Sequence, residues 1–282
     1  MVRRLTILIC LCMLAGCAAI PPQDTTATER LLKTQLASLP PRTPHTANTY
    51  LIALAGFDTP AVFGNEARLA RERLDRTFAT GGKSILLSNA DDDIATTPQA
   101  TPDSLSAAIT GLSRLMNHEE DLLVLYLVSH GGKDGSLQLR RGRNRPLSLA
   151  PSWLSAQLST AGIRWRAVFV SACYSGTFQE VLRNSSSLIL TAADAHHPSF
   201  GCGSADRYTY FGEALFEQDL DTPDWRQIYG KLAEAIRRRE EAIGIREHSN
   251  PQFWLGPQLA RKLDPASDAL DHASEAVLDD SY

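Results

Sequence analysis

Residues 166–178 read RAVFVSACYSGTF. The first part, 167–170, is a continuous run of apolar, mostly β-branched or aromatic residues, the pattern of a strand buried on both faces. It stops at Ser171, Ala172 and Cys173, then meets Ser175 and Gly176. A cysteine inside such a strand would be ordinary packing. A cysteine just past the strand's carboxyl end sits where an open α/β sheet exposes its reactive groups.

A second run of the same kind, LVLYLVSHGG at 123–132, ends at His130 and is followed by Gly131 and Gly132. His130 and Cys173 are 43 residues apart, which leaves room for a flap, one helix and a return strand. That is the length of a right-handed crossover carrying a decoration. If the two strands are parallel neighbours, the imidazole and the thiol emerge at the same edge. Around this pair, strand and helix patterns alternate. TYLIALAGF (49–57) and KSILLSN (83–89) read as strands, and NEARLARERLDRTF (65–78) has apolar residues at helical spacing. Thr101 and Pro102 form the cap and first turn of a helix over 102–116. SLQLRRGRNRPLSL (136–149) reads as a hairpin flap, and its basic cluster RRGRNR (140–145) as a solvated tip. Beyond the cysteine come a helix, the strand SLILTAAD (187–194), a Gly- and Ser-rich loop, two helices and a last short strand, NPQFWLG (250–256). The order predicts an α/β domain with a mostly parallel sheet covered by helices on both faces.

The chain has 282 residues, 43% apolar and 21% charged, with a formal charge of −4. A chain of this length buries a substantial core without disulfides, and its charge makes no case for a nucleic-acid partner. The amino-terminal MVRR supplies a positive segment, and LTILICLCML an apolar run too short to span a bilayer stably. The run closes on LAGC at 14–17, the lipobox pattern of bacterial lipoproteins, with Cys17 as the lipid acceptor. Ala18 follows, with no aspartate to retain the protein at the inner membrane, so the expected address is the outer membrane, facing the periplasm. Residues 1–17 are read as the signal peptide, 18–48 as a tether with a short helical piece around 31–39, 49–260 as the catalytic domain and 261–282 as an acidic, flexible tail. Of five cysteines, Cys10 and Cys12 leave with the signal and Cys17 is lipidated, so Cys173 and Cys202 remain for the folded body. Two thiols do not make a disulfide scaffold. Either they pair, as a redox brake, or each has its own role, Cys202 packing the loop.

A free thiol, with a pKa near ~8.5, is a weak nucleophile at neutral pH unless a base takes its proton. A histidine, near ~6.5, can take that proton and return it to a leaving amine. Glycines beside the histidine let a substrate carbonyl approach the backbone, where amides can form an oxyanion hole. The segments YLVSHGG and VFVSACYSG resemble the His-Gly and Ala-Cys blocks of the legumain-like cysteine peptidases, the caspase-fold group that includes the catalytic subunit of GPI transamidase. TAADAHHPSFGCGSADRYTYFGEALF (191–216) is similar to the block that follows the nucleophile strand in that family.

This resemblance implies a caspase-like three-layer sandwich, peptide-bond hydrolysis through a Cys-His dyad, and no metal or cofactor. Cys173 would be the nucleophile, His130 the base and acid, and the Gly131 amide part of the oxyanion hole. Ser199 matches the family's substrate-reading serine, and Glu213 stands at the place of its acid, one methylene longer. Cleavage after Asn or Asp is the implied preference. The pocket arginine has no clean match in AGFDTPAVFGNEARLA (55–70), and Tyr174 stands where legumain has glutamate. Asp58, at the first strand's end, is the candidate that orients His130, with Asn65 as the alternative. His196 and His197 lack the further ligands of a zinc site. A transamidase using the same dyad, and a silent peptide-binding lipoprotein, are the alternatives to a peptidase. A polypeptide substrate and an N-terminal lipid anchor are the expected partners, and the oligomeric state is left open.

Overall fold

The protein is seen here as a computed structural model that describes residues 25–264. The signal segment, Cys17 and residues 265–282 of the acidic tail lie outside the described residues. In chain order the elements are α1 (Thr25–Ser38), β1 (Thr49–Ala55), α2 (Val62–Thr77), β2 (Ser84–Ser88), α3 (Pro102–Ser113) and β3 (Leu122–Val128). A flap follows, made of β4 (His130–Gly131), β5 (Leu137–Leu139) and β6 (Leu147–Leu149). Then come α4 (Pro151–Thr160), β7 (Trp165–Ser171), α5 (Gly176–Leu182) and β8 (Ser187–Thr191). The chain continues with α6 (Tyr210–Phe216), α7 (Trp225–Ala242), β9 (Gln252–Leu255) and α8 (Pro257–Leu263).

The main sheet has the order β2-β1-β3-β7-β8-β9. Its first five strands are parallel, and β9 runs antiparallel to β8 at one edge. Alternation along each strand divides the core in two. Leu51, Ala53, Val124, Tyr126 and Phe169 face α2, α6 and α7. Tyr50, Ile52, Leu125, Leu127 and Val168 face α3, α4, α5 and the flap. Each fully buried Leu or Ile side chain contributes about 2 kcal/mol, so both faces are strongly held. The expected three-layer α/β arrangement is what the structure has. The capping expectation is met in detail: the Thr101 side chain accepts the Ser104 N–H at 3.0 Å, and Pro102 opens α3.

Three readings change. The tether does not run to residue 48, because α1 is docked on the domain. Leu32 is buried in the second core, Leu36 and Leu39 pack against it, and Gln35 clips β2. Its side-chain amide donates to the Leu86 carbonyl at 3.2 Å and accepts the Leu86 N–H at 3.1 Å, as a neighbouring strand would. At the other end, α8 carries regular structure past 260, with Leu259 fully buried. Finally, the basic flap tip is only partly solvated. Arg140 donates to Asp58 at 3.2 Å, and Arg141 to the Ser88 carbonyl at 2.6 Å. Arg143 and Arg145 are exposed as expected.

Candidate active site

The register of β3 against β7 decides where the two reactive groups meet. Leu122 pairs with Trp165 and Val128 with Ser171, so partners are 43 residues apart in sequence, the same separation as His130 and Cys173. The ladder continues past β3, since Ser129 N–H donates to the Ser171 carbonyl at 3.2 Å. His130 and Cys173 therefore leave adjacent strands at the same level of the same rim. Gly131 lies against the Cys173 peptide so closely that a Cβ there would stand 1.9 Å from the Cys173 carbonyl oxygen. Only glycine fits that approach.

Around the sulfur, the loop after β8 folds back. Ser199 N–H points at Cys173 Sγ at 3.3 Å, and the Ser199 hydroxyl is 3.8 Å away. The loop is fastened beside the nucleophile, where Tyr174 N–H donates to the His197 carbonyl at 2.9 Å. Tyr174 itself adopts a left-handed φ of 56°, a conformation that costs a non-glycine residue free energy and clusters at functional turns. Asp194 holds the same loop from within. It accepts the His196 and His197 amides at 2.7 and 2.9 Å, the His197 ring at 2.7 Å, and the Asn250 side chain at 3.1 Å. His197 thus has a carboxylate partner and a positioning role for the loop that delivers Ser199.

The imidazole is set differently from the expectation. Phe57 and Phe63 each meet the His130 ring edge-on, with centroids 4.7 Å away at 84° and 75°. Asp58 does not orient it. The Asp58 carboxylate accepts Arg140, the Gly142 amide at 2.6 Å and the Thr59 amide at 2.9 Å. Asn65 bonds Arg68 instead. Arg140 lies over the Phe57 ring, its guanidinium 4.1 Å from the centroid. Burial first, and the Arg140 charge second, push the His130 pKa below the ordinary histidine value. Both effects favour the neutral ring, the form that can accept a proton. The signal for this clamp was in the sequence, as Phe57 and Phe63 flanking the first strand's end, but spacing alone does not tell such rings from core.

Beneath the rim lies a buried polar network that sequence reasoning missed. Glu66 of α2 is fully buried. It accepts the Tyr126 hydroxyl at 2.8 Å and the Thr209 N–H at 2.7 Å, while the Thr209 hydroxyl meets that of Ser171 at 2.9 Å. Desolvation pushes the Glu66 carboxyl up, against these hydrogen bonds. The network joins β3, β7, α2 and the cap of α6, two residues before Cys173.

Of the remaining candidates, Glu213 is not a free acceptor. Its carboxylate is bonded to Arg239, whose guanidinium lies 3.8 Å from the Tyr210 ring centroid. Cys202 is a free, half-buried thiol, as is Cys173, so no bridge joins them. Cys202 packs against the first core cluster.

An open α/β domain in which a cysteine and a histidine leave adjacent strands at one level of the carboxyl rim has the architecture of a cysteine peptidase. The chain belongs to the Peptidase C13 family, whose model matches residues 103–243, a span that includes both His130 and Cys173. It is a cysteine-type endopeptidase of the legumain family. Among solved structures it is similar to caspase-1 from Spodoptera frugiperda, at 14% identity over 76% of this chain and 89% of that one, with a TM-score of 0.48. No curated protein matches the chain.

Proposed function

We propose that the protein is a lipid-anchored endopeptidase of the bacterial cell envelope that cuts peptide bonds through a dyad of Cys173 and His130. The observation that carries this reading is the shared level of the two residues on neighbouring strands, with Gly131 pressed on the Cys173 peptide. Neutral His130 takes the proton of Cys173 as the sulfur attacks the scissile carbonyl carbon. The carbonyl oxygen becomes an oxyanion, for which the Gly131 amide is the proposed donor. The carbon–nitrogen bond then breaks, the imidazolium gives its proton to the leaving amine, and a thioester remains on Cys173. Water, deprotonated by His130, resolves the thioester to the acid and the free thiol.

Ser199 is the proposed substrate-reading residue, because its hydroxyl and amide both lie beside the sulfur. Glu213 contributes through its ion pair with Arg239. With its carboxylate held by Arg239, Glu213 acts by positioning that guanidinium, the group suited to a side-chain amide or acid ahead of the scissile bond. Cys17 is the proposed acylation site on the strength of the LAGC pattern, with the outer membrane, periplasmic side, as the address.

The test is alkylation by an iodoacetamide probe at neutral pH. Cys173 should label well ahead of a model thiol, with Cys173→Ala abolishing that fast phase and His130→Ala slowing it. A Cys173 that labels like free cysteine, indifferent to His130, removes the dyad.

A further inference from the structure

The direction of α1 fixes where the chain enters the domain. Near its start, the Thr28 hydroxyl accepts the Gln99 N–H at 3.4 Å. The next residue, Ala100, is bonded to the Asn89 side chain, which also holds the Gly56 carbonyl just past β1. These groups lie at the carboxyl ends of β1 and β2. Toward its end, α1 reaches the middle of β2 through Gln35 and the later part of α3, where Leu36 packs against Gly111. Beyond it, Arg42 pairs with Asp121, just ahead of β3. So α1 runs antiparallel to the strands. It begins at the rim that carries His130 and Cys173 and ends at the opposite rim.

The step from Cys17 to Thr25 is short. Eight residues at about 3.5 Å each reach at most ~28 Å. A domain of this size has a radius of gyration of about 18 Å and is roughly 45 Å across. A leash that leaves one rim and is shorter than the domain cannot let the other rim rest on the bilayer. Sideways, β7 lies three strands from β2, about 14 Å away, so the nucleophile shares the tethered side.

Resting on the reading of Cys17 as the acylated residue, we propose that the anchor turns the catalytic rim toward the membrane. Its substrates are then polypeptide segments within roughly 30 Å of the bilayer surface, the juxtamembrane stretches of anchored or membrane-spanning proteins. Polypeptides held farther off, or free in solution, reach the dyad less often.

The full-length acylated protein is placed in phosphatidylethanolamine–phosphatidylglycerol vesicles that carry a headgroup-labelled energy acceptor. A donor dye sits on Cys173 in a Cys202→Ser variant. For comparison, it sits on Glu119→Cys, at the opposite rim, with Cys173→Ala and Cys202→Ser. Transfer should be several-fold stronger from Cys173, and 30 flexible residues inserted between Gln23 and Asp24 should erase the difference. Equal or reversed transfer in protein whose mass shows acyl chains overturns the orientation and leaves the anchored peptidase standing. A difference that survives the insertion overturns the leash as its cause. A mass without acyl chains overturns the lipid reading, and this inference with it. One peptide library is then offered to the unmodified enzyme on a short lipid-linked spacer and free in solution. Lipid-borne members should be cut at least tenfold faster. Equal rates overturn the substrate class, and cleavage in neither format overturns the peptidase reading.

Discussion

Gly131 rests its backbone directly on the peptide of Cys173, so that a single added methyl carbon would stand 1.9 Å from the Cys173 carbonyl oxygen. The two strand ends are thereby locked at the distance the backbone allows and no other. Replacing Gly131 by alanine forces them apart by an ångström or more. A displacement of that size costs on the order of 100-fold in rate. Gly131→Ala should lose about that much kcat/KM while far-UV circular dichroism stays unchanged. Activity close to the parent's would show that the rim tolerates a wider gap.

The acid side of the pH–rate profile should lie low. Burial and then Arg140 disfavour protonated His130, so the base form persists below the ordinary histidine value of about 6.5. Arg140→Gln removes one of the two causes. The acid limb of kcat/KM should therefore move to higher pH. A limb that stays put, or moves lower, contradicts the assignment of His130 as base.

Glu66 is the buried acceptor for both Tyr126 and Thr209. Glu66→Ala leaves the Thr209 N–H without a partner and opens a cavity, at a cost of about 2–4 kcal/mol. Glu66→Gln keeps the shape and one carbonyl acceptor, and should cost about 1 kcal/mol. Urea midpoints at neutral pH measure both. Equal midpoints for the two variants would mean that the network does not brace the fold.

Cys202 should react late. Burial, followed by the charge of Cys173, pushes its thiol up, so its thiolate is scarce at pH 7.5. Timed alkylation with peptide mapping should find Cys173 modified first. Cys202→Ser should keep activity within about threefold, since that thiol packs the loop against the core. Faster labelling of Cys202 than of Cys173 would reverse their roles.

Much of this arrangement was legible in the chain. β3 and β7 announce themselves by uninterrupted apolar runs, and both stop at small residues, so the reactive pair could be read from where strands end. The same logic failed for side chains whose surroundings come from distant segments. Glu66 sits in a charge-rich helical stretch, and its burial against Gly212 is set by α6, far away in sequence; a Cβ on Gly212 would meet Glu66 Cδ at 2.3 Å. Arg140 belongs to a basic cluster that looks solvated, yet Asp58 and Phe57 draw it inward. That contact also explains why Asp58, correctly placed at the first strand's end, serves the flap and not the imidazole. The short helical piece around 31–39 was legible, but its docking on the domain was not, for a related reason. Flanked by proline and threonine, it carries only a few leucines, and their value depends on α3 being there to receive them.

The Gln35 clip has a practical side. Its amide occupies both outward polar groups of Leu86 on the edge strand β2, which blunts the place where a foreign strand would add. A shortened chain started at Thr49, where the strand pattern begins, would lose this guard and lay bare the leucine-lined flank of α3. Such a truncation invites clumping through strand addition, whereas one started just ahead of Thr25 retains its own edge protector and should stay dispersed.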